Sequence, residues 1–259
     1  MISIGYRTGS MEEYRQIENL INTYAELLDD GDMTVIAKLL KNLRNAVDRF
    51  DADFSDALSF GQLKSKLWLV KSLIESNKLV LASTNGQQKL QLGTIFLCGG
   101  WYGTLADMLF KTGLKIDKIR SFDIDPTCAP IAECVNKQYV INEWQFKAAT
   151  LDIHNLRYSR FDYVTHKADG TEIKLIDDAN CVINTSCEHI LDFEGWYDHI
   201  PHGMLVIVQS NDYFEVPDHV NCSETLEDFK KQTPMRRELF SDTLALPNYN
   251  RFMRIGFKE

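Results

Sequence analysis

The chain has 259 residues, 44% hydrophobic and 25% charged, with a formal net charge of −9. That composition is ordinary for a globular protein, and the length suits one large domain or one domain plus a small cap. The acidic balance disfavours extended nucleic acid as a partner, and Arg236, Arg237, Arg251 and Arg254 near the C-terminus read as solvated strand faces.

Ser10 and Glu13 have the spacing of a capping box, and Ile17, Leu20, Ile21, Tyr24, Leu27 and Leu28 then keep one apolar helical face. Residues 29–32 break the run. A second helix carries Ile36, Leu39, Leu40, Leu43, Val47 and Phe50. Ser59 and Gln62 fit another capping box, before a third helix with Leu63, Leu67, Val70 and Ile74. Asn85-Gly86 signals a turn.

From residue 94 the texture changes. Residues 94–98 form a short apolar run bounded by glycines, as a buried parallel strand would. A helix starts at 105–110, and a second buried strand follows at 119–122. Asp125 then reads as an N-cap and Pro126 as the first helical residue. Residues 145–151 suit a third strand, and 161–176 a hairpin turning at Asp169-Gly170. Further strands are expected at 181–184 and 204–208, with helices at 193–199 and 225–231. Strand-like segments at 239–246 and 251–257 flank a turn at Pro247-Asn248. Alternation of strand and helix predicts a parallel sheet covered on both faces, and the closing pair must be antiparallel.

The first strand runs into Gly99-Gly100-Trp101-Tyr102-Gly103 and then a helix. Glycines let the backbone approach a ligand, and a helix start offers unpaired N–H groups. The second strand ends at Asp123, where a carboxylate can accept from both hydroxyls of a ribose. Strand, glycine turn, helix, strand and terminal acid form an adenosine-binding half.

On these residues the sequence resembles the class I S-adenosylmethionine-dependent methyltransferases, over about residues 92–259. The glycine loop matches the family's first motif. Phe122-Asp123-Ile124-Asp125-Pro126 looks like the second, and Leu151-Asp152-Ile153 stands at the third, where an acid or amide meets adenine. Gly-Gly-Trp-Tyr-Gly with Asn-Thr-Ser-Cys-Glu-His is similar to a bacterial or phage branch. The family's acid before the loop and its middle glycine are replaced here by Leu97 and Trp101. The resemblance implies an α/β, Rossmann-like, mostly parallel seven-stranded sheet with an antiparallel C-terminal hairpin. It also implies a helical cap over 1–90 and a catalytic domain over 91–259. S-adenosylmethionine is the implied cofactor, held by Gly99, Gly100, Trp101, Tyr102, Gly103, Asp123, Ile124 and Asp152.

Asn184-Thr185-Ser186-Cys187-Glu188-His189 follows the strand at 181–184, where ligands of open sheets sit. Methyl transfer is an in-line displacement that needs a positioned acceptor and one proton removed. Glu188 or His189 suits the base; Asn184 and Ser186 suit the acceptor. The bland alternative is that Glu188 and His189 merely begin the next helix. Gln209-Ser210-Asn211-Asp212-Tyr213 should lie beside this run, making Asn211 and Tyr213 substrate-binding candidates, and Lys66 suits an anionic group of the substrate. The alternative for Lys66's helix is packing on the sheet edge or a homodimer interface. His154 and His166 read as surface or satisfied histidines.

Six cysteines without a C-x-x-C pair give no structural zinc motif, and Cys187-Glu188-His189 lacks distant partners for an ion, so no metal is expected. The N-terminus shows no signal-peptide core, and no apolar run approaches the ~20 residues of a membrane span, so a cytoplasmic protein is expected. The acceptor expected is a small molecule or nucleotide-like compound. Aminocarboxypropyl transfer or cleavage of the same cofactor, and a non-catalytic adenosyl-binding subunit, are the rival readings.

Overall fold

Successive side chains of a strand point to opposite faces, so a strand covered on both sides must be apolar throughout. Residues 93–98 behave in this way: Ile95 and Leu97 enter one core cluster, Phe96 and Cys98 the other. The structure, a computed structural model, describes residues 11–28, 33–83, 90–167 and 169–259. The Ser10–Glu13 capping box, the break at 29–32 and the Asn85-Gly86 turn lie outside the described residues.

Helices α1 (Met11–Leu27), α2 (Met33–Phe50) and α3 (Phe60–Ser83) come first. Then follow β1 (Gly93–Cys98), α4 (Thr104–Phe110), β2 (Ile116–Asp123), α5 (Cys128–Val135), α6 (Lys137–Ile141) and β3 (Phe146–Thr150). The hairpin β4 (Phe161–His166) and β5 (Glu172–Asp177) precedes β6 (Cys181–Asn184), α7 (Phe193–His199) and β7 (Leu205–Asn211). The chain closes with α8 (Leu226–Gln232), β8 (Met235–Ala245) and β9 (Asn250–Lys258).

Seven strands form one sheet in the order β3-β2-β1-β6-β7-β9-β8, and β4-β5 pair separately. The first five are parallel neighbours; β9 runs antiparallel to both β7 and β8. Helices α1–α3 share a single cluster with one sheet face, from Leu20 and Leu39 to Ile207 and Ile255. The opposite face packs on the hairpin and α7, with Phe122, Tyr163 and Trp196 at its centre. Buried polar contacts fix the helical segment to the sheet. Tyr24 of α1 donates to the Asp107 carboxylate of α4 at 2.5 Å, and Lys111 pairs with the same group. Asn42 of α2 donates to the Val135 carbonyl at 3.0 Å.

Four local expectations change. The buried face of α2 is Ile36, Leu39, Leu43 and Ala46, while Val47 is exposed, because α5 meets the Ala46 side. Helix α5 starts at Cys128, two residues after Pro126; Asp125 instead accepts from the Thr127 N–H and hydroxyl, both at 2.8 Å, forming the preceding turn. At α3 only half of the capping box forms. Ser59 Oγ accepts from the Gln62 N–H at 3.4 Å, but the Gln62 side chain turns to Lys66 at 2.6 Å. Arg251 and Arg254 are buried rather than solvated, because β9 lies between two strands. Arg236 and Arg237 are exposed as expected.

Candidate functional site

The strand order reverses between β1 and β6, which is where open α/β sheets bind ligands. A cavity of about 760 Å³ lies there, beyond the carboxyl ends of β1, β2, β3 and β6. One wall is the glycine loop. The N–H groups of Gly99 and Gly100 both donate to the Phe122 carbonyl, at 2.9 and 3.3 Å, which folds the loop onto the end of β2. Gly100 is required: a Cβ there would stand 1.9 Å from Ser121 Oγ. Trp101, in the place of the family's middle glycine, keeps the left-handed backbone with φ 47°. Such a conformation is uncommon for a bulky residue and is strained. Its N–H donates to Asp123 Oδ2 at 2.9 Å. Asp123 Oδ1 accepts from the Asp125 N–H at 3.1 Å. Burial pushes the Asp123 carboxyl up, against the hydrogen bonds from Asp125 and Trp101 that pull it down.

Asp152 follows β3 and lines the same cavity. It accepts from the His154 N–H at 3.0 Å and lies 2.9 Å from His154 Nδ1. These hydrogen bonds hold its carboxyl below the ordinary range. His154 also lines the cavity, closer to the site than its reading as an outlying residue, yet both ring nitrogens have partners, Asp152 and the Asp192 carbonyl.

The other wall is built from side chains. Residues Cys187–His189 form a short 3-10 turn after β6, not the start of α7. Glu188 is 2% exposed and pairs with Arg251 of β9 at 3.0 Å. Asn211 of β7 donates to the same oxygen at 2.7 Å. Arg251 also donates to the Thr185 carbonyl at 2.5 Å. Burying an ion pair is unfavourable unless hydrogen bonds support it; Asn211 and Thr185 supply two, while Glu188 Oε2 and Arg251 Nε are buried without a partner among the described residues. From the helical segment come Asp56, Gln62 and Lys66. Burial, then the Arg251 charge, pulls the Lys66 ammonium down from 10.5 to about 7, against Asp56 and Glu188. One face of α3 packs on the sheet, with Ser65 donating to Gln209 of β7 at 3.1 Å, while Phe60 and Leu79 are exposed.

Of the residues singled out in the sequence, Lys66, Gly99, Gly100, Trp101, Asp123, Ile124, Asp152, Ser186, Glu188 and His189 line this cavity. The others stand behind it. Tyr102 packs edge-on against Phe54, and Gly103 holds the N-terminus of α4 with φ 72°. Asn184 is fully buried, its Oδ1 accepting from the Ser186 N–H at 2.8 Å and its Nδ2 without a partner among the described residues. Asn211 acts through Glu188, and Tyr213 stacks on Tyr249 at 5.3 Å. Burial pushes the Cys187 thiol well up, which removes it as a nucleophile. Sequence reading missed Arg251 and Asp56. A charged residue in a strand that must be covered on both sides was the available signal for Arg251; Asp56 offered none.

Strand order, C-terminal hairpin and the position of the cavity define the fold of the class I S-adenosylmethionine-dependent methyltransferases. No protein-family model and no curated protein matches the sequence. Among solved structures the chain is similar to the N-methyltransferase NodS from Bradyrhizobium japonicum WM9, with 11% identity and a TM-score of 0.50, covering 75% of this chain and 97% of that one. It is similar to the small RNA methyltransferase HEN1, with 14% identity and a TM-score of 0.50, covering 75% of this chain and 25% of that one. At these identities the likeness is one of fold. No helix among the described residues is long and apolar enough to cross a membrane.

Proposed function

We propose that this chain is a cytoplasmic S-adenosylmethionine-dependent methyltransferase acting on a small-molecule or nucleotide-like acceptor. The observation that carries this reading is one cavity lined at one end by Gly99, Gly100 and Asp123 and at the other by Glu188, His189 and Lys66. S-adenosylmethionine, when bound, supplies a methyl group on a sulfonium, ready for in-line displacement. Asp123 fits the ribose, because its carboxylate ends β2 at the cavity wall, where sugar hydroxyls can donate to it. Ile124 and Asp152 suit the adenine side, and the Trp101 ring suits the cationic sulfonium. Gly103 and Tyr102 brace the loop.

Ser186 suits the acceptor, and Glu188 with His189 is the pair through which its proton leaves. Asn184 and Asn211 position that pair. Lys66 suits an anionic group on the acceptor, and Residues 1–90 act as a cap through Asp56, Gln62 and Lys66. Six free thiols agree with a reducing compartment. NodS is an N-methyltransferase and HEN1 a small RNA methyltransferase, so neither name selects an acceptor for this chain.

The test is product analysis by mass spectrometry after incubation with S-adenosylmethionine and fractions of small metabolites or nucleotides. The expected products are S-adenosylhomocysteine and an acceptor heavier by one methyl. Methylthioadenosine in place of S-adenosylhomocysteine would overturn methyl transfer.

A further inference from the structure

Beside the cavity wall, His219 converges on the adjacent pair Glu188 and His189, 30 residues earlier in the sequence. Glu188, His189 and His219 each bring one donor atom within 4.8 Å of the others. Glu188 and His189 line the cavity, and His219 stands behind them on the loop after β7. That loop is tied down: the Asn221 N–H donates to the Glu188 carbonyl at 2.8 Å, and its side chain to the Cys187 carbonyl at 3.2 Å. The two imidazoles meet edge to face at 4.6 Å.

Two features prepare these groups for a ligand. His189 Nδ1 lies 3.1 Å from the Asp218 carbonyl, and His219 Nδ1 lies 2.7 Å from the Tyr213 carbonyl. A carbonyl only accepts, so each Nδ1 carries the proton and each neutral ring keeps its lone pair on Nε2. Fixing the tautomer through an outer hydrogen bond is how metal-ligating histidines are held. The second feature is Glu188 itself. Arg251 and Asn211 both donate to Oε1, while Oε2 is buried without a hydrogen-bond partner among the described residues. A buried carboxylate oxygen left without a partner is costly. The Cys222 Sγ lies 3.3 Å from Asn211 Oδ1, 3.4 Å from the Tyr213 carbonyl and 3.7 Å from His219 Nδ1, on the side of that ring away from Nε2.

We propose that Glu188, His189 and His219 bind one divalent first-row transition cation at the wall of the cavity. Two imidazoles and one carboxylate suit Mn²⁺, Co²⁺ or Zn²⁺ and leave coordination positions open. Arg251 neutralises part of the Glu188 charge, which lowers the affinity below that of an unpaired carboxylate. The use of the ion rests on the methyltransferase reading. When bound, it would hold an acceptor hydroxyl and make its proton easier to lose to solvent, which replaces the free-base role given to Glu188 and His189 above. The missing distant partner that argued against a metal in the sequence is His219.

The experiment titrates chelator-stripped protein with Co²⁺, Mn²⁺ and Zn²⁺ by calorimetry, and follows the Co²⁺ visible absorption. One ion per chain, with an imidazole-bound Co²⁺ spectrum, is expected. His219→Ala and the exposed His189→Ala each weaken binding at least about tenfold, while His166→Ala, on the distant hairpin, does not. Circular dichroism checks that the variants are folded, and because His189 is exposed its variant retains the fold. No binding, or equal affinity in His189→Ala and wild type, overturns the site. S-adenosylhomocysteine is titrated separately into the stripped protein. If it binds and the metals do not, the ion fails and the methyltransferase reading stands; the reverse result separates them the other way.

Discussion

At the glycine-loop end, the cavity wall is backbone from one continuous stretch: Gly99, Gly100 and Trp101 fold onto β2, and Asp123 holds the Trp101 N–H at 2.9 Å. At the Glu188 end, side chains from four segments build the wall: Lys66 on α3 and Glu188 after β6 line it, and Asn211 on β7 and Arg251 on β9 hold Glu188 from behind. A wall of backbone tolerates change in every side chain except where space is missing. A wall of buried charges fails when a member that neutralises another is removed, and gains when an unpaired one is.

That contrast makes Arg251→Met the most damaging substitution. It leaves Glu188 charged, buried and without its cation, at a cost of about 3–5 kcal/mol. Chemical denaturation measures it, and adding Glu188→Gln to the same chain is expected to recover part of the loss. Lys66→Met works in the opposite direction. The folded Lys66 pKa, about 7, lies below the ordinary 10.5. Between those values the unfolded chain holds more protons, so wild-type stability rises with pH across this window. Below about pH 7 the whole penalty is present. Lys66→Met is therefore expected to be more stable than wild type by on the order of 2–4 kcal/mol at pH 6. The advantage shrinks towards pH 10, as thermal melts across that range test directly.

The glycine-loop end breaks at its one crowded position. Gly100→Ala puts a Cβ against Ser121 Oγ, an overpacking cost of about 1–3 kcal/mol, and Ser121→Gly in the same chain is expected to relieve part of it. Asp123→Ala removes a ribose acceptor and the anchor of Trp101. It is expected to weaken S-adenosylhomocysteine binding at least about tenfold, with a smaller change in melting temperature. Unchanged affinity by calorimetry would remove Asp123 from the ribose.

The same contrast explains what was legible in the sequence. Strands β1, β6 and the first half of β7 are apolar runs between turn residues, and Asp123 ends the more mixed β2 just after Phe122, so local pattern was enough for these strands. Helix α7 was read at its observed limits, since Asp192 accepts from the Gly195 N–H at its N-terminus. Arg251 was misread because a lone arginine in a strand looks solvated until the strand is known to lie between β7 and β8. His219 sits in a loop without periodicity, and only the Asn221 contacts bring it beside Glu188. Trp101 stood out as a departure from the family pattern, but its φ of 47° followed from no sequence rule.

The central claim is that the glycine loop and Asp123 form an adenosyl site. Its most direct test is calorimetric titration of the purified chain with S-adenosylmethionine, S-adenosylhomocysteine and NAD. The account predicts micromolar binding of both adenosyl ligands at one site per chain, and none of NAD. Failure to bind either adenosyl ligand would contradict it.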